Sequence, residues 1–411
     1  MGMITSVSQL ARRISLEGGE AVFGSRLREI RLARGLTLEE LAYAMDGQLT
    51  KQALSKYETG KSEPRPTMML ALAKALGVKA AELFGEPDYS IECLQYRTRA
   101  PMHPRSQERV EATLRVNLER RLRLEDRLGV ARRPALPRRP QSAHTLADAE
   151  NAAMGIRSKW SLGEGPIPNL TDVLERHSVH VFEVPGDVDF DGLAATARDD
   201  DGELRAIGIA ENPDADGDRQ RFNLAHELGH VTIRTAADLD EEAAANRFAG
   251  ALLIPASLVY SEVGIRRSEI SLEELILLKR SWGTSIQCIL HRLRDLDVIS
   301  QNHYQWWWQE IAALGYTKVE PIRLAREEST WERRNLARAQ AEGLMTREQA
   351  AAYLGAESVT RPPVDGIDRR ALMKLGLEER RAVMRADADR LVDHYEQIAS
   401  DEWLGADLDE P

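Results

Sequence analysis

Cysteine is almost missing from this chain: Cys93 and Cys288 are the only two in 411 residues. They lie far apart with no Cys-x-x-Cys partner, which excludes a thiolate zinc site and a disulfide framework and suits a reducing compartment. Long apolar runs are missing as well. The longest uncharged stretch, Phe248 to Ser261, is broken by Pro255 and falls short of the roughly 18 residues that a membrane span requires. No membrane partner is therefore expected, and the expected location is the cytoplasm. The first residues lack the basic-then-apolar secretory pattern. Met1-Gly2 with Ser6 fits only the short and permissive myristoylation pattern. A net charge of −11 argues against coating nucleic acid non-specifically, while leaving room for a local basic face. The hydrophobic content of 43% is enough for real cores. At about 150 residues per domain, the length predicts two or three domains.

Charge is unevenly spread. Between Arg97 and Arg139 there are thirteen arginines against five acids. Val110, Leu114, Leu118, Leu122, Leu124 and Leu128 recur at three- and four-residue spacings, so this stretch reads as a helix. Pro134, Pro137 and Pro140 then point to an extended segment. The arginines are expected to form a solvated face on a connecting helix.

Upstream, helix boundaries follow in quick succession. Thr37-Leu38-Glu39-Glu40 is a capping box, with Leu41 and Met45 as the apolar face behind it. Thr50 caps the next helix, which runs through Ala53, Leu54 and Tyr57 to a stop at Gly60. Pro64 and Pro66 open a fourth helix with Leu70, Leu72, Ala73 and Leu76 as apolar positions. Two short helices joined by a turn within a five-helix bundle is the geometry that sets a helix in the major groove.

The sharpest pattern is His226-Glu227-Leu228-Gly229-His230. Positions four apart share a helix face, so the two imidazoles can offer nitrogens to one metal. Glu227, next to a ligand, is placed as a base toward water on that metal. A catalytic zinc needs a third protein ligand. Glu241 and Glu242, in the first turn of a second helix, both qualify by spacing, and either could simply favour a helix N-terminus.

The residues from Gly35 to Val78 resemble the XRE-type helix-turn-helix regulators. Carried over by position, the resemblance starts the recognition helix at Thr50 and implies that Lys51, Gln52 and Ser55 face base edges. Lys56, Lys61 and Arg65 are then phosphate contacts, and Gln52 can pair with adenine. Leu38 stands where the family often has glutamine, and the turn Asp46-Gly47-Gln48-Leu49 is about two residues longer than the short form. Double-stranded operator DNA and a homodimer are the implied partners. The segment Phe222 to His230, followed by Glu242-x-x-x-Asn246-x-Phe248-Ala249, resembles the ImmA/IrrE metallopeptidases. Pro166 to Leu170, Val179 to Val184, Phe190-Asp191-Gly192-Leu193 and Ala206 to Ala210 extend the likeness. It implies Glu242 as third ligand with Glu241 a spectator, one Zn2+ per chain, and a protein substrate, for instance a repressor or the chain itself. The strand Ala206–Ala210 is then expected along the cleft, open to an extended substrate. Arg219 and Arg221 are expected to pair with the acids of Asp214 to Asp218.

Past Pro255, His291 is expected in the core. Trp306-Trp307-Trp308 suits a packed corner or a docking patch. Thr346 and Gln349 form another capping box, and Glu378 to Trp403 reads as a charged amphipathic helix before an acidic tail at Asp407–Glu410. The expected architecture is multi-domain and mainly α with an α+β part. It comprises a five-helix DNA-binding bundle (23–85), an arginine-rich helical linker (86–144) and a zincin-like peptidase domain (145–260). A helical extension (261–325) and an acidic helical C-terminal region (326–411) follow. The alternative is a DNA-binding regulator or antitoxin whose metal domain is a sensor or vestigial and cuts nothing.

Overall fold

The structure, a computed structural model, describes residues 19–354 except 79, 85–88, 95–96, 99–102, 138, 185–189 and 318. The expected helix Glu378–Trp403, the acidic tail and Met1-Gly2 lie outside these. The chain divides into one unit through Leu344 and a second from Met345. In the second, helix Arg347–Leu354 opens on the expected box, Thr346 Oγ1 accepting from the Gln349 amide at 3.2 Å.

Helices α1 (Gly19–Ala33), α2 (Leu38–Ala44), α3 (Lys51–Glu58), α4 (Pro66–Ala75) and α5 (Ala80–Phe84) form the N-terminal bundle. They close on Phe23, Leu27, Ile30, Leu41, Leu54, Leu72 and Leu83. The caps are those the sequence predicts. Thr37 accepts from the Glu40 amide at 3.1 Å and Glu40 returns to the Thr37 amide at 2.7 Å. Thr50 accepts from the Ala53 amide at 3.2 Å, and Gly60 ends α3 at φ 66°. Leu70 departs from expectation at 53% exposure, because it lies roughly 100° round the helix from the mean direction of Leu72, Ala73 and Leu76.

The stretch expected as a linker contributes two strands and a core helix. Strands β1 (Ser90–Cys93) and β2 (Arg97–Thr98) both pair antiparallel with β5 (Phe190–Arg198). The sheet runs β1, β5, β6 (Leu204–Glu211), β4 (Val179–Glu183), with β4 parallel to β6 and β5 antiparallel to it. Helix α6 (Pro104–Leu128) covers one face of this sheet, where Val110, Leu114, Leu118 and Leu122 meet Phe182, Phe190, Leu193 and Ala206. Gly208 permits the close approach: a Cβ there would meet Leu114 and Leu118 at 3.1 Å. The arginines of α6 form a solvated face only in part: Arg105, Arg109 and Arg127 are exposed, and others are paired. Arg121 is buried against Glu175 at 2.9 Å, Arg123 meets Glu119 at 2.7 Å and Arg120 meets Glu332 at 3.0 Å.

The other face carries α7 (Leu146–Lys159), α8 (Leu170–Arg176), α9 (Gly217–Thr232) and α10 (Glu241–Leu253), which share the largest core with the helices that follow. Strand β3 (Gln141–Ala143) pairs parallel with β7 (Ile233–Thr235), tying α7 to the end of α9. Strand β6 lies between β5 and β4, so it cannot accept a further strand, contrary to expectation. Among the described residues no single helix is long and apolar enough to cross a membrane.

Residues 320–330, straddling the expected boundary at 326, wrap the N-terminal half of α9. The Gly217 amide donates to the Leu324 carbonyl at 3.0 Å, and a Cβ at Gly217 would collide with the Ala325 carbonyl. Arg326 donates to the carbonyls of Asn212 and Ala215 and meets Glu211 at 2.9 Å. Glu211 is only 2% exposed. Burial pushes its carboxyl from the ordinary 4.5 up to about 7, against the pull of Arg326 and a hydrogen bond from Gln220. A carboxyl whose pKa rises on folding lends stability in its protonated form, and that contribution is lost as pH climbs from the unfolded to the folded value. Relative to Glu211→Gln, wild type is therefore expected to lose stability between about pH 5 and about pH 7. Urea midpoints of the two proteins across that window check this; parallel profiles would refute it.

Candidate metal centre

The zinc-type pattern lands in the middle of α9, a helix buried on nearly every side. His226 is 1% exposed, and His230 sits one turn further on. His226 Nδ1 lies 3.1 Å from Asn246 Oδ1, and His230 Nδ1 lies 3.3 Å from Glu241 Oε1. Both partners can accept, which suits a proton on each Nδ1 and turns both Nε2 atoms toward the gap between the rings. Those two Nε2 atoms face one another at 2.9 Å. Two ring nitrogens that close call for a cation or a proton between them. Glu242 completes the group, its oxygens 3.6 Å from His226 Nε2 and 3.4 Å from His230 Nε2. All three donor atoms lie within 4.8 Å of one another. Tetrahedral zinc with bonds near 2.0–2.1 Å wants donors about 3.3 Å apart. The group thus fits a His2Glu ion with one position left open.

The surrounding charge agrees. Burial of the His230 ring works to lower its pKa, but Glu242, Glu227 and Glu241 together outweigh it and hold the imidazole above its ordinary 6.5. The site attracts positive charge, whether a proton or an ion.

Glu227 follows its ligand by one residue and is 3% exposed. It fits only because β5 presents no side chain there: a Cβ on Gly192 would stand 3.0 Å from Glu227 Cγ and Oε1. The neighbouring Asp191 holds the next turn of the same helix, pairing with Arg219 and accepting from Asn223 Nδ2 on its carbonyl at 2.9 Å. Arg219 therefore pairs with Asp191, and Arg221 with Glu327, rather than with the acids at 214–218. A cavity of about 670 Å³ is lined by Asp191, Phe222, Asn223, Asn246, His291 and Arg294; Asn246 joins it to the group, and His226, Glu227, His230 and Glu242 themselves do not line it. His291 is exposed, not in the core, and its ring packs on Tyr304 and Trp308. Of the three tryptophans, Trp307 is buried while Trp306 is 46% exposed and stacks on His303.

Sequence reasoning passed over two residues. Asn246 lies four positions after Glu242, on the same face of α10, and meets His226 Nδ1. Glu241, set aside as a spectator, meets His230 Nδ1. The signal was present in the spacing 242/246, which puts a carboxylate and an amide on one stripe.

In the bundle, Gln52, Lys56, Lys61 and Arg65 are exposed, Ser55 is half-buried and Thr50 serves as the cap. Lys51 is ion-paired with Glu39 of α2, so a phosphate or a base edge would have to compete for it.

Residues 27–83 match the family described as Helix-turn-helix, and residues 174–294 match the IrrE N-terminal-like domain. No curated protein and no solved structure matches the chain. The two family matches make it a fusion of an XRE-type helix-turn-helix domain with a domain of a metallopeptidase family. Loss of the hydrogen-bond partner of a metal-bound imidazole typically costs about 10–100-fold in metal affinity. Asn246→Ala is accordingly expected to weaken zinc binding by that factor, measured by chelator competition, with the fold retained by circular dichroism. Unchanged affinity would mean that Asn246 does not orient the ligand.

Proposed function

We propose that this fusion is a DNA-binding regulator whose second domain is a zinc-dependent endopeptidase acting on a protein, of which a repressor-type regulator is the example the family likeness favours. One observation carries the enzymatic half: the buried His226 and half-buried His230 imidazoles, each with an acceptor at Nδ1, turn their Nε2 atoms toward each other with Glu242 beside them and Glu227 one residue away. His226, His230 and Glu242 would hold the ion. Zinc bound there supplies Lewis acidity, bringing the pKa of its water toward ~7 and polarising the scissile carbonyl.

The rest falls to the chain. Glu227 accepts the proton of the attacking water on its carboxylate and delivers it to the leaving nitrogen as the C–N bond breaks. Its burial between α9 and Gly192 keeps bulk water from screening that transfer. Asp191 and Asn223 lock β5 to α9, so that the base and the sheet keep one geometry. For the bundle, α3 is read as the recognition helix, with Gln52 and Ser55 toward base edges and Lys56, Lys61 and Arg65 toward phosphates. Lys51 serves there too, once released from Glu39. Dimers on a palindromic operator follow from the same reading. A cellular stress or mobile-element response is the setting it suggests.

Replacing Glu227 by Gln removes the base and leaves the ligands. Cleavage of an unfolded protein such as β-casein is expected to fall by about 10²–10⁴-fold, with one zinc per chain and DNA affinity both retained. Equal cleavage by the two proteins would remove the base from the mechanism. If neither cleaves although both hold zinc, the domain is a metal sensor. On the DNA side, an operator selected from random duplexes is expected to lose about 1–3 kcal/mol of binding with Gln52→Ala, concentrated at one base pair. A uniform loss across all sequences would instead make Gln52 a backbone contact.

A further inference from the structure

The sheet has one edge next to the metal centre, and the chain itself occupies it. Strand β5 abuts Glu227 through Gly192. One of its edges pairs with β6 along its length. On the other, Ser90 to Cys93 pair with Arg198 back to Ala195, the Leu94 amide donates to the Ala194 carbonyl at 2.8 Å, and Arg97 and Thr98 pair with Gly192 and Phe190. An extended peptide reaching Glu227 would add to that second edge, one strand spacing of about 4.8 Å from β5. The outer edge of β4 offers no substitute, since two strand spacings, about 10 Å, separate it from β5.

We propose that Ser90–Leu94 and Arg97–Thr98, in the connector between the DNA-binding bundle and α6, are a built-in competitor that fills the substrate strand position on β5 and must peel away before a substrate strand binds. The inference rests on the peptidase reading and names the regulation of that same site. The pairing itself shows where peeling begins. β1 is a continuous four-residue ladder held at Cys93 and Leu94, whereas β2 is two residues long and slips register between Arg97 and Thr98. The weak part lies opposite Gly192, beside the catalytic base, and the strong part lies away from it. A segment held in this way lowers the apparent affinity for substrate by the fraction of time it is seated.

Two substitutions move the segment in opposite directions. Leu94→Pro removes the amide that bonds Ala194 and so loosens the middle of the connector. Ala195→Cys faces the native Cys93. Because Leu94 and Ala194 form a hydrogen-bonded pair, Cys93 and Ala195 form the alternate pair, with Cα atoms about 4.5 Å apart, inside the window a disulfide accepts. Diamide oxidation then staples the connector to β5. In wild type the Cys93 thiol, pushed up to about 11 by burial, has no such partner.

Full-length zinc-loaded proteins are compared by amide hydrogen exchange in β5 and by cleavage of β-casein. The Leu94→Pro protein is expected to exchange faster in β5 and to cleave about tenfold faster than wild type. Oxidised Ala195→Cys is expected to cleave more slowly than wild type, to recover with reductant, and to ignore oxidant when Cys93 is also alanine. If Leu94→Pro fails to fold, the stapled and reduced forms of Ala195→Cys still decide the matter. Equal cleavage by stapled and reduced protein would overturn the proposal while leaving the peptidase reading intact, provided that Glu227→Gln is inactive. Faster exchange in β5 without any cleavage in any variant would overturn both.

Discussion

Helix α9 is a polar helix in a place where polar groups are expensive, and most of the domain is organised around that fact. Twelve of its sixteen residues are buried, among them Asp218, Gln220, Arg221, Asn223, His226, Glu227 and Thr232. Each such group left unpaired would cost about 1–3 kcal/mol, more where it is charged. The structure meets this from every direction. Lys279 comes from the following helices to Asp218 at 2.6 Å, Glu211 comes from the sheet to Gln220, and Glu327 comes from the strap to Arg221. Asn246 arrives from α10 for His226, and the Asp191 carbonyl from β5 for Asn223. The two imidazoles and Glu227 can then be held to one geometry without being free to choose another partner.

That organisation explains what the sequence could and could not disclose. The caps at Thr37, Thr50 and Thr346 are local events, written within four residues, and they form as read. The His226/His230 spacing is equally local. The choice between Glu241 and Glu242 was not settled by spacing, because both stand in the first turn of α10. Geometry gives each a different task, one near the two Nε2 atoms and the other on Nδ1. The strap at 320–330 was invisible. Its partners lie 33 to 156 residues upstream, and nothing in a run containing Glu320, Arg323, Arg326 and Glu327 distinguishes a buried clamp from a solvated loop. Arg120 and Arg121 of α6 misled for the same reason: composition counts charges, whereas burial depends on the acids that meet them, Glu332 and Glu175.

Helix α6 has two apolar sides where a linker would need none. One lies on the sheet through Leu114 and Leu118. The other receives the bundle: Val116 packs against its core, Arg26 pairs with Glu119, and Arg28 meets Glu108 at 2.7 Å. Glu119 is buried enough that its carboxyl is pushed above the usual range, despite Arg26 and Arg123 beside it. A carboxylate in that position tolerates burial only with its arginines in place. The contact between the bundle and α6 is therefore specific, and a displacement of the bundle has a defined set of charges to break.

The sheet then sets the limits of the peptidase fold more strictly than sequence likeness does. The matched segment begins at residue 174 and contains His226, His230 and Glu242. It does not contain the helix that covers the opposite face of β4, β5 and β6. Cut the chain before β4, and Phe182, Phe190, Leu193, Ala195, Ala197, Ala206 and Ala210 lose their cover, while the outer edge of β5 loses its pairing. An apolar sheet face with an open edge beside it favours association with other chains over an isolated fold. Strands β1 and β2 and helix α6 are thus as much a part of this fold as α9 is. Since the bundle rests on α6 as well, the helix-turn-helix domain and the His226, His230 and Glu242 group share one mechanical element.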